Sequence, residues 1–139
     1  MRYLGLDLGS RTCGVAISDS LGLLARTYTT IRFKDDDYLY AASEVKKICE
    51  KEGITEVVLG YPKHMNGSEG IRAQISLDFK KLLEDGTNLK VNLFDERLTT
   101  VVVDRVMIDG NMSREKRHQK KDELAAVVIL EDYLNKIKK

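Results

Sequence analysis

The chain has 139 residues, and 23 Lys and Arg nearly balance 22 Asp and Glu, leaving a formal net charge of +1 at pH 7. That length suits one domain over residues 1–139 burying roughly two thirds of its unfolded surface, and the charge balance excludes a polyanion partner drawn by net charge alone. Cys13 and Cys49 form no CxxC pair, these cysteines and His64 and His118 lack zinc-ligand spacing, and no apolar run nears the roughly 18 residues of a membrane span, so a reduced, cytoplasmic protein with neither structural zinc nor membrane contact is expected.

The first element alternates Leu4, Leu6 and Leu8 with Tyr3, Gly5 and Asp7, which predicts a strand, and Gly14 to Ser18 should return as its hairpin partner. Asp7 is the anomaly in this run. A carboxylate in a strand needs a partner, a metal or a proton to offset lost hydration; it either closes an Asx turn or carries chemistry. Gly5 and Gly9 on either side of it would let a ligand backbone approach. Arg11 at the hairpin tip is either a solvated loop charge or a phosphate contact.

A third strand is expected over Ala25 to Ile31, then an acidic turn at Lys34 to Asp37 and a helix with Leu39, Val45, Ile48 and Cys49 on its apolar side. EVVLG, Glu56 to Gly60, and KVNLF, Lys90 to Phe94, read as strands buried on both faces, separated by a helix from roughly Ser68 to Leu83. Pro62 and Asn66-Gly67 predict a structured loop before that helix, where Lys63, His64 and backbone amides could meet a phosphate. Helices are then expected from about Thr99 to Ile108, with Val101 to Ile108 packing in the core, and from about Ser113 to Ile137, broken at Asp109-Gly110-Asn111. The order β-β-β-α-β-α-β-α-α implies a five-stranded mixed sheet, three antiparallel strands followed by two parallel ones added through right-handed crossovers, with helices on both faces.

Two further acidic stretches fall where that sheet would gather them. FDERLTT puts Asp95 and Glu96 at the end of the last strand, on the edge where ligands collect in parallel arrangements, and alternation lets only one of the two share Asp7's side. In KKDELAAVVILEDYL, Asp122 lies on one face with Ala125, Ala126 and Ile129, while Glu123 has a similar claim through Val127, Leu130 and Leu134; periodicity does not choose between them. Just before them SREKRHQKK carries five basic residues, Arg114, Lys116, Arg117, Lys120 and Lys121, against one Glu, a local surplus suited to nucleic-acid phosphates.

Three carboxylates on one edge repel and raise one another's pKa values unless a cation intervenes. Mg²⁺ or Mn²⁺ accepts such oxygen ligands, and two ions about 3.5 to 4 Å apart can activate water and stabilise the leaving oxygen of a phosphodiester.

LGLDLGSRTCGVAISD, VVLGYPKHMNGSEG, FDERLTT and KDELAAVVILEDYL, in this order and spacing over nearly the whole chain, resemble the YqgF family, also called RuvX, of ribonuclease H-like nucleases. The resemblance implies a ribonuclease H-like fold, processing of the 5′ end of pre-16S ribosomal RNA or resolution of four-way DNA junctions, and Asp7, Glu96 and Asp122 as a metal-binding catalytic triad. Arg11, Lys63, Arg97 and the basic run would then contact nucleic acid, with the chain acting as a monomer or homodimer. One departure stands out: junction resolvases of the RuvC type place an acid after the fourth strand, where this chain has Gly60-Tyr61-Pro62. DLGSRTCGVAISD also looks like the first phosphate loop of the actin and sugar-kinase superfamily, which makes a nucleotide- or nucleic-acid-binding module without catalysis the alternative of another class.

Overall fold

The computed structural model describes residues 1–61, 67–95 and 114–137. Strand β1 (Tyr3–Leu8) pairs antiparallel with β2 (Thr12–Ser18), Leu4 opposite Ile17 and Asp7 opposite Gly14. The Gly9 amide donates to the Thr12 carbonyl at 2.7 Å, a turn tight enough to start β2 two residues before Gly14. Strand β3 (Ala25–Arg32) pairs antiparallel with β2 and shifts register between Val15 and Ala16. Helix α1 (Tyr38–Glu52) leads to β4 (Glu56–Tyr61), parallel to β1, and helix α2 (Gly67–Thr87) leads to β5 (Lys90–Asp95), parallel to β4. Helix α3 (Arg114–Ile137) follows. The strand order β3-β2-β1-β4-β5 is the expected mixed sheet.

Period-two alternation divides the core into two layers. Leu4, Leu6 and Leu8 join Val15, Ile17, Val57 and Leu59 against Val45 and Cys49 of α1 and Phe79 and Leu83 of α2. On the opposite face, Tyr3, Ala16 and Val58 pack against Ala126, Ile129, Leu130 and Leu134 of α3. Helices therefore cover both faces. The glycines near Asp7 are structural rather than clearance for a ligand: a Cβ on Gly5 would stand 2.8 Å from the Leu130 Cβ, and one on Gly9 would stand 3.2 Å from the Thr12 carbonyl that closes its own turn.

Asp37 caps α1 by accepting from the Tyr40 amide, and Gly53 ends it at φ 65°. Ala41, Val45 and Cys49 form its buried stripe, whereas Leu39 is 71% exposed, against expectation. Leu39 precedes Val45 by a separation of roughly 240° around the helix, at about 100° per residue, and so misses the stripe. Helix α2 runs four residues beyond Leu83. The Thr87 hydroxyl donates to the Leu83 carbonyl at 2.6 Å, and Asn88, at φ 59°, supplies the left-handed stop while its amide donates to Glu84 at 2.9 Å. The helix expected over 99–108, its break at 109–111 and the expected start of the last helix at Ser113 lie outside the described residues. Among the described residues no helix is long and apolar enough to cross a membrane.

Candidate active site

Asp7 stands one residue from the end of β1, the central strand, at the edge where the parallel strands β1, β4 and β5 all terminate. Alternation puts it on the α3 face with Tyr3 and Gly5, and it is half-buried there. Its partner on β2 is Gly14. Leu6 pairs with Leu59, so Gly60 is the next residue alongside on β4. Both flanking positions therefore lack a side chain, and clearance beside the carboxylate comes from Gly14 and Gly60 rather than from Gly5 and Gly9.

Helix α3 runs antiparallel to β1 across this face. Tyr133 meets the Tyr3 ring with centroids 6.0 Å apart, whereas Leu130 and the Ala126 carbonyl crowd Gly5. Moving from Gly5 to Asp7 advances roughly 6.6 Å along the strand, which equals about four helical residues at 1.5 Å each. The turn of α3 preceding Ala126 is thus carried toward Asp7. Position 122 shares a helical face with Ala126 and Ile129, and position 123 with Ala126 and Leu130, so Asp122 and Glu123 both fall in this turn.

Strand β5 ends at Asp95, paired with Tyr61; Asn92, opposite Val58, and Phe94, opposite Gly60, hold its α3-facing positions. Glu96, Arg97, Lys63 and His64 lie outside the described residues. Arg114, Lys116, Arg117, Lys120 and Lys121 occupy the first turns of α3, N-terminal to Asp122. Of the three expected acids only Asp7 has a described side chain, and among the described residues no three His, Cys, Asp or Glu gather as a metal site.

Two arginines reach the same edge. Arg11, in the β1–β2 turn, forms a two-pronged ion pair with Asp35, its Nε donating to Oδ1 and its Nη2 to Oδ2, the latter at 3.3 Å. The pair holds the Asp35 carboxyl below its usual pKa and raises that of Arg11. Arg72 of α2 donates from Nη2 to the Leu8 carbonyl at 2.7 Å, next to Asp7. Sequence reasoning missed Arg72 and Asp35. Arg72 lies 64 residues from its acceptor, and its one local trace is a cation on a helix that follows a strand edge.

A mixed sheet in the order 3-2-1-4-5, helices on both faces and a carboxylate at the end of the central strand define an α/β domain of the ribonuclease H-like class. Residues 1–136 match the RuvX family, described as Holliday junction resolvase, and the chain belongs to that family. It is 45% identical over 139 residues, 100% of both chains, to a Clostridium botulinum protein named "Putative pre-16S rRNA nuclease". Among solved structures, T. thermophilus RuvC in complex with a Holliday junction substrate aligns with a TM-score of 0.68 at 11% identity, over 99% of this chain and 96% of that one. The fowlpox virus resolvase with substrate Holliday junction DNA gives 0.59 at 16% identity over 100% of both chains. At these identities the two structures show a shared fold.

Proposed function

We propose that this chain, as a single domain over residues 1–139, is a divalent-metal-dependent endonuclease of the cytoplasm that hydrolyses phosphodiester bonds in structured RNA, maturing the 5′ end of the pre-16S ribosomal RNA. The observation that carries this reading is the convergence of Asp7 and the turn of α3 preceding Ala126 at one sheet edge. Relatives named as pre-16S rRNA nucleases support the substrate class.

In this reading Asp7, Glu96 and Asp122 are the catalytic acids. Asn92 and Phe94 share Asp7's face, and the alternation of the sequence, continued past them, favours Glu96 over Asp95 as the second acid. The donor set fits Mg²⁺ or Mn²⁺: a half-buried carboxylate between two glycine positions, joined by further acids, offers hard oxygen ligands with room for water. Asp7 and Glu96 would share one ion while Asp122 completes a two-ion site; once bound, the ions supply an activated water and neutralise charge at the leaving oxygen. The chain's own work is to bind and orient. Arg11 and Lys63 steady phosphates beside the acids. Arg97 and the basic turn of α3, Arg114, Lys116, Arg117, Lys120 and Lys121, track the nucleic-acid backbone, so affinity falls with salt.

Four-way DNA is the second reading, favoured by the family description and by the fold shared with resolvases. Symmetric cutting of a junction requires two active sites and hence a homodimer, whereas one cut in RNA needs a monomer alone. Purified protein should be offered precursor 16S RNA and a four-way DNA junction, each in Mg²⁺, in Mn²⁺ and in chelator. Metal-dependent cleavage of the RNA is the expected result. Cleavage of the junction alone replaces the substrate, and binding without cleavage of either returns the chain to a binding module.

A further inference from the structure

The β3–α1 turn carries three consecutive acids, and two of them have local duties. Asp36, at φ 59°, accepts from the Tyr38 hydroxyl at 3.0 Å, and Asp37 caps α1. Asp35 instead reaches across to Arg11 with both carboxylate oxygens. The two turns are fixed to each other by backbone: the Phe33 amide donates to the Arg11 carbonyl at 2.9 Å, and the Asp36 amide to the Ser10 carbonyl at 3.0 Å. Those bonds hold the turns together without any help from the side chains.

The ion pair itself adds little stability, because its side chains are 74% and 63% exposed and water screens such pairs. Its position is what distinguishes it. Arg11 follows Asp7 by four residues in the chain, on the turn leaving β1. A carboxylate receiving two parallel N–H groups from a guanidinium has the geometry of a phosphate doing the same.

We propose that Asp35 is a built-in phosphate surrogate: it holds Arg11 in the two-pronged arrangement that a substrate backbone phosphate takes, and gives way to that phosphate on binding. The proposal rests on the nuclease reading and adds a positioning residue to it. Asp35 keeps the Arg11 guanidinium paired and disfavours any anion that cannot outcompete a tethered carboxylate, so an isolated phosphate is disfavoured relative to a polymer that engages the basic turn of α3 as well. Exposed pairs are weak, so the substrate recovers Arg11 at small cost.

The test is equilibrium binding of a fluorescent RNA duplex and of a four-way DNA junction in chelator, across a salt series. Asp35→Asn is expected to bind about two- to fivefold more tightly at low salt with the slope of log K against log salt unchanged, because Arg11 meets the same phosphate in both proteins. Arg11→Ala should erase the gain when combined with Asp35→Asn and should reduce the slope by about 0.9, one phosphate contact fewer, whereas Asp85→Asn, which makes the same charge change at an exposed site at the far end of α2, should leave affinity nearly unaltered. Equal or weaker binding by Asp35→Asn, a gain that survives Arg11→Ala, a slope that Arg11→Ala leaves unchanged, or an equal gain from Asp85→Asn each overturns the surrogate role while leaving the nuclease reading intact. Failure of the wild-type protein to bind either nucleic acid overturns both.

Discussion

Gly5 of β1 and Leu130 of α3 are in contact so close that no other residue fits at position 5: a Cβ there would lie 2.8 Å from the Leu130 Cβ and 3.0 Å from the Ala126 carbonyl oxygen. This approach sets the height of α3 above the sheet and, two strand residues on, above Asp7. Gly5→Ala is expected to destabilise the protein by about 1–3 kcal/mol through overpacking, read by urea denaturation, and to lower cleavage further by lifting the α3 turn that carries Asp122. Gly86→Ala is the contrast, since a Cβ at Gly86 meets nothing within 4 Å and alanine favours a helix by about 0.5–1 kcal/mol. Equal stability of the two variants would show that the close packing of α3 on β1 is not what holds them together.

Asp7→Asn keeps the shape of the side chain and removes its charge. If Asp7 contributes several kcal/mol of charge stabilisation through the ions it holds, cleavage should fall on the order of 10³-fold or more, at tenfold per 1.36 kcal/mol. Circular dichroism and the urea midpoint should stay close to wild type, because asparagine keeps the shape of this half-buried side chain. Wild-type cleavage rates for this variant in Mg²⁺ or Mn²⁺ would remove Asp7 from the catalytic set.

Local periodicity made much of this fold legible. YLGLDL shows its two faces at a glance, and the structure keeps Leu4, Leu6 and Leu8 on one and Tyr3 on the other. Periodicity failed where the third dimension decides. Leu39 looked like part of an apolar face, yet which turn of α1 reaches the core depends on how the helix lies. The helix expected to end near Leu83 runs on to Thr87, because its left-handed stop is Asn88. Gly5 was expected to give a ligand clearance and instead receives α3, because only the docked helix reveals which position it crowds. The contacts of Arg72 with Leu8 and of Arg11 with Asp35 span 64 and 24 residues, and no pattern within one element encodes such pairs.

Arg72 ties the first turns of α2 to the last residue of β1 through its bond to the Leu8 carbonyl. Removing a charged donor from a carbonyl that has no other strand residue to follow it should cost about 1.5–3 kcal/mol. Arg72→Ala is therefore expected to lower the urea midpoint and to lower cleavage by more than unfolding explains, since the freed end of β1 carries Asp7. Arg72→Lys should restore the charge but little of the activity, because a lysine ammonium does not reproduce the reach and planarity of the guanidinium. Full recovery by lysine would reduce Arg72 to a general electrostatic contribution.

Cys49 offers a check on the opposite end of the sheet. It lines a cavity of about 390 Å³ with Lys46, Glu50, Ile54 and Leu89, and burial, helped by the nearby Glu50 charge, pushes its thiol from 9.0 up to about 11. A small thiol reagent entering that cavity meets the protonated form, whereas the thiolate is the nucleophile. Labelling of the native protein should therefore climb about tenfold per pH unit well past pH 9 and level off only near 11, while in urea both Cys49 and the buried Cys13 react rapidly at pH 9. The same shift fixes the sign of its effect on stability. The folded state holds the neutral thiol, so the contribution is fully present below pH 9 and is lost as pH rises through 11. Measured against Cys49→Ala to cancel the lysines and tyrosines that titrate in the same range, wild-type stability should hold level up to pH 9 and decline above it. A labelling plateau at pH 9 would show that the site leaves this thiol as acidic as one in water.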